Sequence, residues 1–156
     1  MQTIGFIGTG GMGSGMATNL IKSGYQLVVN DLNREQAKVL EDQGAKFVNT
    51  PREVAENSEL VLSMLPNNDA VKNVGLGTGG LSEASSGAKV WIDFSSIDKE
   101  TIVSTNSNLE QIGWTIIDAG AGGVEEVAAA GELALWISGS EALFEEYQEI
   151  LKPMAK

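Results

Sequence analysis

The sequence contains no cysteine and no histidine among its 156 residues. Their absence excludes a disulfide framework, a Cys/His zinc cluster, a cysteine nucleophile and an imidazole base. We expect no metal site. Basic residues are also scarce, with 10 Lys and Arg against 21 Asp and Glu, which gives a formal net charge of −11. A surface this acidic repels nucleic acid and anionic lipid, so we expect neither as a partner.

Long apolar runs are absent as well. No run reaches the roughly 18 residues that a membrane span needs. The apolar N-terminus has no basic residue before Lys22, which is not typical of a signal peptide. We therefore expect a cytoplasmic protein. The length favours one domain, residues 1–156. The last residues, LKPMAK, continue a helical pattern without a terminating glycine, which fits a boundary within a longer polypeptide and, on composition alone, fits an ordinary C-terminus equally well.

Short apolar runs alternate with stretches of helical periodicity along the whole chain. The runs at 3–7, 26–30 and 59–65 are continuously apolar, whereas 11–23 and 34–43 place apolar residues at helical spacing. Continuous apolar strands that alternate with helices are typical of a parallel sheet covered on both faces. The sequence therefore predicts an α/β domain with a doubly wound, mostly parallel Rossmann sheet and helices on both faces.

Glycine is abundant, with 19 residues, and Gly8 to Gly13 fit the pattern G-x-G-x-x-G. The match follows a predicted strand, opens a predicted helix, and is followed by Asp31 at the end of the next strand. That combination is typical of a dinucleotide-binding β-α-β unit. We expect Gly8 to form the tight turn, Gly10 to let a pyrophosphate approach the backbone, and Gly13 to let the helix pack on the strand.

Residues 75–80 fit the same glycine pattern. This second match follows a helical segment and has no predicted strand beside it. A glycine pattern without strand and helix is a weak signal. We interpret it as a flexible surface loop.

Asp31 bears on the choice of dinucleotide. A carboxylate at this position accepts hydrogen bonds from the adenosine ribose hydroxyls and repels a 2′-phosphate. The next residue is Leu32 rather than Arg, which favours NAD over NADP. Arg34 is close enough in sequence to keep NADP as the less favoured alternative.

The residues at the N-terminus resemble the opening of the β-hydroxyacid dehydrogenases. That family includes 3-hydroxyisobutyrate dehydrogenase, tartronate semialdehyde reductase and relatives of 6-phosphogluconate dehydrogenase. The resemblance rests on Gly8-x-Gly10-x-Met12-Gly13-x-x-Met16-Ala17-x-Asn19-Leu20, Met64-Leu65-Pro66, Asp93-Phe94-Ser95-Ser96, Asp118-Ala119 with the glycines after it, and Ala128-x-Ala130-Gly131-x-Leu133. It covers essentially the whole chain.

The resemblance implies a set of cofactor-binding residues and a substrate-binding segment. The cofactor set is Gly8, Thr9, Gly10, Gly11, Met12, Gly13, Asn30, Asp31, Leu32, Met64, Leu65, Pro66 and Ser96. Gly122 stands where the family has a substrate-binding serine, so the backbone N–H groups of Gly122 and Gly123 are the remaining candidates for contact with substrate. The family's catalytic lysine lies in a following all-helical domain. We therefore expect no catalytic residue in this chain, and no activity of this chain alone.

For the longer protein, the resemblance implies an NAD-dependent oxidoreductase. It would interconvert a small 3-hydroxy acid and its semialdehyde by hydride transfer, and it would be a homo-oligomer. Two alternatives stay open at this point: a non-catalytic NAD-binding module, and an NADPH-dependent aldehyde or imine reductase. A flavodoxin-like FMN domain would not need Asp31 and would not explain the later motifs.

Overall fold

The computed structural model describes residues 2–156. Within that range, seven strands form one sheet. The strands are β1 (Thr3–Ile7), β2 (Gln26–Asn30), β3 (Lys46–Phe47), β4 (Leu60–Ser63), β5 (Val90–Asp93), β6 (Thr115–Gly122) and β7 (Ala134–Ser138). The helices are α1 (Gly11–Lys22), α2 (Arg34–Glu41), α3 (Pro51–Glu56), α4 (Asn68–Leu76), α5 (Lys99–Glu110), α6 (Glu125–Ala130) and α7 (Glu141–Leu151), with a 3₁₀ turn at Leu81–Glu83.

Local sequence signals explain where several helices begin. The Asn33 side chain accepts a hydrogen bond from the Glu35 N–H and so caps α2. At α3, Thr50 and Glu53 form a reciprocal capping box, and Pro51 occupies the first turn, where its missing N–H costs nothing. These caps fix the helix starts directly after the ends of β2 and β3.

The strand order is β3-β2-β1-β4-β5-β6-β7. The first six strands are parallel, and β7 is antiparallel to β6, with Trp136 opposite Gly120. The doubly wound, mostly parallel sheet is thus confirmed. The chain first runs from β1 to β2 and β3 on one side of β1, and it then crosses to β4 on the other side of β1. The carboxyl ends of β1 and β4 therefore border a crevice. Ligands of this sheet type bind at such a switch point.

Two apolar cores lie on opposite faces of the sheet. One contains Phe6, Met16 and Leu40 together with residues of α6 and α7. The other contains Val61 and Trp91 together with residues of α3, α4 and α5. Helices therefore cover both faces, as the continuously apolar strands predict.

Two features differ from the sequence-based expectations. Residues 75–80 were predicted to form a surface loop, which is wrong for the first and the last residue of this segment. Gly75 is buried in the last turn of α4, where an added Cβ would lie 3.1 Å from the Trp91 ring, and Gly80 is also buried. Helix α6 was not predicted from the sequence. Its first turn is exposed, and Ala128 is its buried residue.

Among residues 2–156, no helix is both long and apolar enough to cross a membrane.

Candidate functional site

The glycine-rich turn joins β1 to α1 in a shape that other residues do not fit. Gly8 has a φ of +89°, and a Cβ there would lie 2.2 Å from the Met64 carbonyl oxygen. A Cβ on Gly13 would lie 1.9 Å from the Gly8 carbonyl oxygen. Side chains do not adopt such contacts. The first glycine therefore makes the turn, and the third lets α1 start against the end of β1.

The middle glycine faces open space. A Cβ on Gly10 would have no neighbouring atom of residues 2–156 within 4 Å, and its φ of −65° suits any residue. Gly10 is the N-cap of α1 and supplies no side-chain cap, and the first turn carries no acidic residue. The first N–H groups of the helix and the positive end of its dipole are thus presented to the crevice, an arrangement that favours an anion.

Asp31 ties the glycine-rich turn to the end of β2. Its Oδ2 accepts hydrogen bonds from the Thr9 N–H at 2.8 Å and from Thr9 Oγ1 at 3.3 Å. Its Oδ1 accepts from the Asn33 N–H at 2.8 Å. Since a carboxylate oxygen accepts two hydrogen bonds, Oδ1 retains capacity for a hydroxyl of a ligand. Thr9 is fully buried, so its role is to hold Asp31 rather than to face solvent.

Asn30 is also engaged by the protein. Its side-chain N–H₂ donates to the Val48 carbonyl at 2.9 Å, and its own carbonyl accepts from the Gly8 N–H at 3.0 Å. Asn30 therefore joins β2 to the chain after β3 and supports the turn from behind.

A cleft of about 620 Å³ runs along the carboxyl edge of the sheet. Most of the predicted cofactor-binding residues line it, namely Gly8, Gly10, Gly11, Met12, Gly13, Asn30, Asp31, Leu32, Met64, Leu65 and Pro66. Two do not. Thr9 lies behind Asp31, and Ser96 lines a neighbouring depression with Asp118 and Gly120.

Part of the lining of the cleft was not predicted from the sequence. Added residues are Ile7, Asn33, Gln36, Asn49, Thr50, Pro51, Ala70, Asn73, Val74 and Thr78. Those at 49–51 follow β3, so the carboxyl-edge rule could have found them. Thr78 belongs to the second glycine match, which therefore contributes to the wall of the cleft.

The two glycines predicted to contact substrate lie at the end of β6, outside the lining of both the cleft and the depression. A Cβ on Gly122 would lie 2.5 Å from the Trp136 indole. Trp136 is 67% exposed. The indole thus fills the space of any side chain at 122, and a role for Trp136 was not predicted from the sequence.

Three buried polar residues lie behind the wall formed by Leu65. Asp93 Oδ1 accepts hydrogen bonds from Ser63 Oγ and Ser95 Oγ, both at 2.6 Å. Ser95 Oγ in turn accepts from the Leu65 N–H at 2.8 Å. Burial raises the pKa of Asp93 to about 6, against the opposing effect of these hydrogen bonds.

Two nearby carboxyl groups shift in opposite directions. Burial raises the pKa of Asp118, and a hydrogen bond from Ser138 lowers it by a smaller amount. The Thr101 N–H at the start of α5 lowers the pKa of Asp98. Within residues 2–156, no group of three or more acidic side chains is arranged to hold a metal ion.

Comparison with protein families decides the kind of domain. Residues 3–156 match the family model described as the NAD binding domain of 6-phosphogluconate dehydrogenase. The chain belongs to this family. The resemblance deduced from the motifs is thereby confirmed, and so is a domain that binds a nicotinamide dinucleotide, NAD or NADP.

Relatives in this family are named dehydrogenases and reductases. A probable mitochondrial 3-hydroxyisobutyrate dehydrogenase of Dictyostelium discoideum is 36% identical over 155 residues, which are 99% of this chain and 48% of that protein. The 3-sulfolactaldehyde reductase of Escherichia coli K12 is 36% identical over 154 residues, 99% of this chain and 52% of that protein. The chain thus spans about half the length of these curated relatives.

The fold is also found in a solved relative. The 3-hydroxyisobutyrate dehydrogenase of Mycobacterium tuberculosis, solved with L-serine, superposes with a TM-score of 0.90 at 29% identity, over 99% of this chain and 52% of that chain. Since the Dictyostelium relative is mitochondrial by name, the family does not fix a compartment, and a cytoplasmic location stays a prediction.

Proposed function

We propose that this chain binds NAD(H) along the cleft, with the pyrophosphate at the start of α1. The observation that carries the proposal is the N-terminus of α1, which opens into the cleft at Gly10 with no side-chain cap. The residues present fit the dinucleotide. Gly10 leaves room for the phosphates, and Asp31 Oδ1 has capacity to accept from a ribose hydroxyl.

The two ends of the cleft suit the two halves of the cofactor. Asp31, Leu32 and Asn33 would hold the adenosine half. Met64 to Pro66 would border the nicotinamide half, and Ser96 lies in the depression beyond it. Backbone N–H groups supply the attraction for phosphate, so a chain with a net charge of −11 can still hold a dianionic ligand.

Preference for NAD over NADP is supported by the charges near the ribose site. The Asp31 carboxylate would repel a 2′-phosphate. Arg34 is engaged elsewhere: its guanidinium pairs with Glu41 at 3.0 Å and lies 4.6 Å from the centre of the Phe47 ring. Arg34 does not line the cleft, so in this arrangement it offers no cation to a 2′-phosphate.

The proposed reaction of the longer protein is hydride transfer between the cofactor and a small 3-hydroxy acid or its aldehyde. The bound nicotinamide would supply the hydride chemistry, and this chain would position it. The resemblance to the β-hydroxyacid dehydrogenases places the catalytic acid–base, a lysine, in a following all-helical domain, and we propose the same arrangement here. Gly122 and Gly123 are proposed to contact substrate through their N–H groups. A homo-oligomer is likewise a proposal.

A non-catalytic NAD-binding module is the second candidate. It is favoured by Gly122, where the indole of Trp136 occupies the place of a serine side chain. The two candidates share the cofactor site and differ in turnover by the longer protein.

Calorimetric titration of the chain with NADH and with NADPH tests the proposal. We expect NADH to bind in the micromolar range and NADPH much more weakly. Failure of both to bind would overturn the proposed function, and tighter binding of NADPH would overturn the assignment of Asp31.

One acidic side chain close to the start of α1 gives a further prediction. The Glu125 carboxylate lies beside Gly11, within 3 Å of where a Cβ would stand. Glu125→Gln is expected to tighten NADH binding about two- to five-fold at low ionic strength, because one negative charge near the pyrophosphate is removed. Glu110→Gln, at the exposed end of α5, is the matched control. Equal affinities of wild type and Glu125→Gln at low salt would contradict the placement of the phosphates.

A further inference from the structure

The hydrogen bonds around Asp93 form two chains that end on one oxygen atom. The Trp91 indole N–H donates to Ser63 Oγ at 2.7 Å, and Ser63 Oγ donates to Asp93 Oδ1. The Leu65 N–H donates to Ser95 Oγ, and Ser95 Oγ also donates to Asp93 Oδ1. An indole N–H and an amide N–H are donors only, and each hydroxyl has one proton. Because the ionised carboxylate is an acceptor only, the direction of every bond is fixed when Asp93 is ionised, and Oδ1 is then the common acceptor.

All the side chains in this network are buried. Ser63 is fully buried, Trp91 is 1% exposed, Ser95 is 2% exposed and Asp93 is 5% exposed. The pairing of β4 with β5 places Ser63 directly beside Asp93. If this buried acceptor is removed, the protons of both hydroxyl groups lose their acceptor, and this cost holds the arrangement in place.

We propose that Asp93 is a positioning residue for the cofactor site: through Ser95 it holds the backbone of Leu65, and thereby the wall that faces the nicotinamide half. Asp93 itself does not line the cleft, whereas Met64, Leu65 and Pro66 do. The inference rests on the proposed function, since the wall has this role when NAD(H) occupies the cleft.

The charge of Asp93 gives the link a measurable signature. Asp93 borders a small cavity of about 10 Å³, which it shares with Val71 of α4, with Ile102 and Asn106 of α5, and with Asp118 of β6. Among the residues lining that cavity, the other charged group is Asp118, which carries the same sign. Burial without a cation is the reason that the pKa of Asp93 lies near 6.

Ionisation of Asp93 is expected to lower the stability of the fold and to strengthen NADH binding. Because the folded-state pKa is raised, the contribution of Asp93 to stability is fully present below pH 4 and is lost as the pH rises through about 6. The ionised carboxylate, however, accepts hydrogen bonds more strongly than the neutral acid. We therefore expect the wall, and with it NADH binding, to be firmer above pH 6. General acid unfolding would move both properties in the same direction.

The first experiment follows two N–H resonances of the ¹⁵N-labelled chain between pH 4.5 and 8 without cofactor. The Leu65 amide and the Trp91 indole are expected to titrate with one midpoint near 6 in wild type. Both are expected to be flat in Asp93→Asn, which keeps an acceptor oxygen and loses the charge. Asp118→Asn, the matched control, is expected to keep both titrations and move their midpoint to lower pH. A Leu65 amide that does not titrate, or that still titrates in Asp93→Asn, would overturn the proposal.

The second experiment measures NADH affinity across the same pH range. Wild type is expected to bind about three- to ten-fold more tightly at pH 7.5 than at pH 5, and Asp93→Asn to show a flat profile. An unchanged profile in Asp93→Asn would contradict the positioning role. Failure of wild type to bind NADH would overturn the proposed function. The amide titration needs no cofactor, so it still tests whether Asp93 acts on the Leu65 backbone through Ser95.

Ser95→Ala separates the two chains and serves if Asp93→Asn does not fold. It removes the bond to Leu65 and keeps the Trp91–Ser63 branch. The indole is expected to titrate in this variant and the Leu65 amide to be flat. Titration of both would show that Leu65 senses Asp93 by another route and would overturn the proposal.

Discussion

Replacement of Gly10 by alanine is expected to weaken NADH binding about ten-fold or more, which corresponds to about 1.4 kcal/mol or more of binding free energy. A methyl group there meets no atom of residues 2–156 within 4 Å, so the folded chain tolerates it. It projects into the cleft where the pyrophosphate would approach the backbone. We expect the melting temperature to stay within about 2 °C of wild type, because the substitution touches no packed group.

Gly13→Ala is the matched comparison. Its Cβ would lie 1.9 Å from the Gly8 carbonyl oxygen, so the turn or the helix must shift. Overpacking of this kind costs about 1–3 kcal/mol, or about 3–10 °C in melting temperature for a chain of this size. For both variants, calorimetry measures the affinity for NADH and thermal melting measures the stability of the fold. Together they distinguish a damaged binding site from a destabilised fold. Wild-type affinity in Gly10→Ala would contradict the phosphate assignment.

Exchange of the residues at the end of β2 is expected to reverse the preference between dinucleotides. Asp31→Ser with Leu32→Arg removes the repelling carboxylate and adds a guanidinium, which binds phosphate by two parallel hydrogen bonds. We expect the ratio of NADH to NADPH affinity to change by about 100-fold or more. Leu32 is fully exposed, so the change at 32 disturbs no packing.

Two further variants make this prediction decisive. Asp31→Ser also loses the bonds to Thr9 and Asn33, whereas Asp31→Asn keeps an acceptor oxygen. Asp31→Asn is therefore expected to reduce the discrimination against NADPH and to lose one of the two backbone hydrogen bonds, because its NH₂ group faces the Thr9 N–H or the Asn33 N–H. Its loss of stability is expected to be smaller than that of Asp31→Ser. Leu32→Ala is expected to leave the ratio unchanged. Parallel titrations with the two reduced cofactors provide the measurement, and a double variant that still prefers NADH would show that discrimination lies elsewhere.

The glycine-rich turn could be predicted because its determinants are close together in the sequence. Gly8, Gly13 and Asp31 lie in one β-α-β unit, and each has a steric or hydrogen-bonding requirement that few residues meet. The prediction needed no knowledge of the rest of the fold. The same reasoning explains why the helical spacing at 34–43 coincides with α2, which begins directly after the Asn33 cap.

Features that depend on distant packing were not predictable in the same way. Gly75 matches a loop pattern, yet Trp91, Thr105 and Leu109 surround it, and these residues come from later elements. Ser63 and Asp93 are 30 residues apart in the sequence and become neighbours through the pairing of β4 with β5. The strand order is needed before that pair can be seen.

The residues after β6 show a third kind of difficulty. No strand or helix was predicted for the glycines at 120, 122 and 123, although residues 120–122 continue the strand and α6 follows. Within the sheet, Gly122 is a position where the Trp136 ring takes the space of a side chain. Without the register between β6 and β7, a glycine that accommodates an aromatic ring looks the same as a glycine that makes a turn.

Mapping of the NADH contact on the ¹⁵N-labelled chain tests the central claim most directly. We expect the largest amide shifts on titration at Gly10, Gly11, Met12 and Gly13, with smaller shifts at Asp31 and Leu65. Shifts centred instead on the depression around Ser96 and Asp118, with the amides at the start of α1 unmoved, would contradict it.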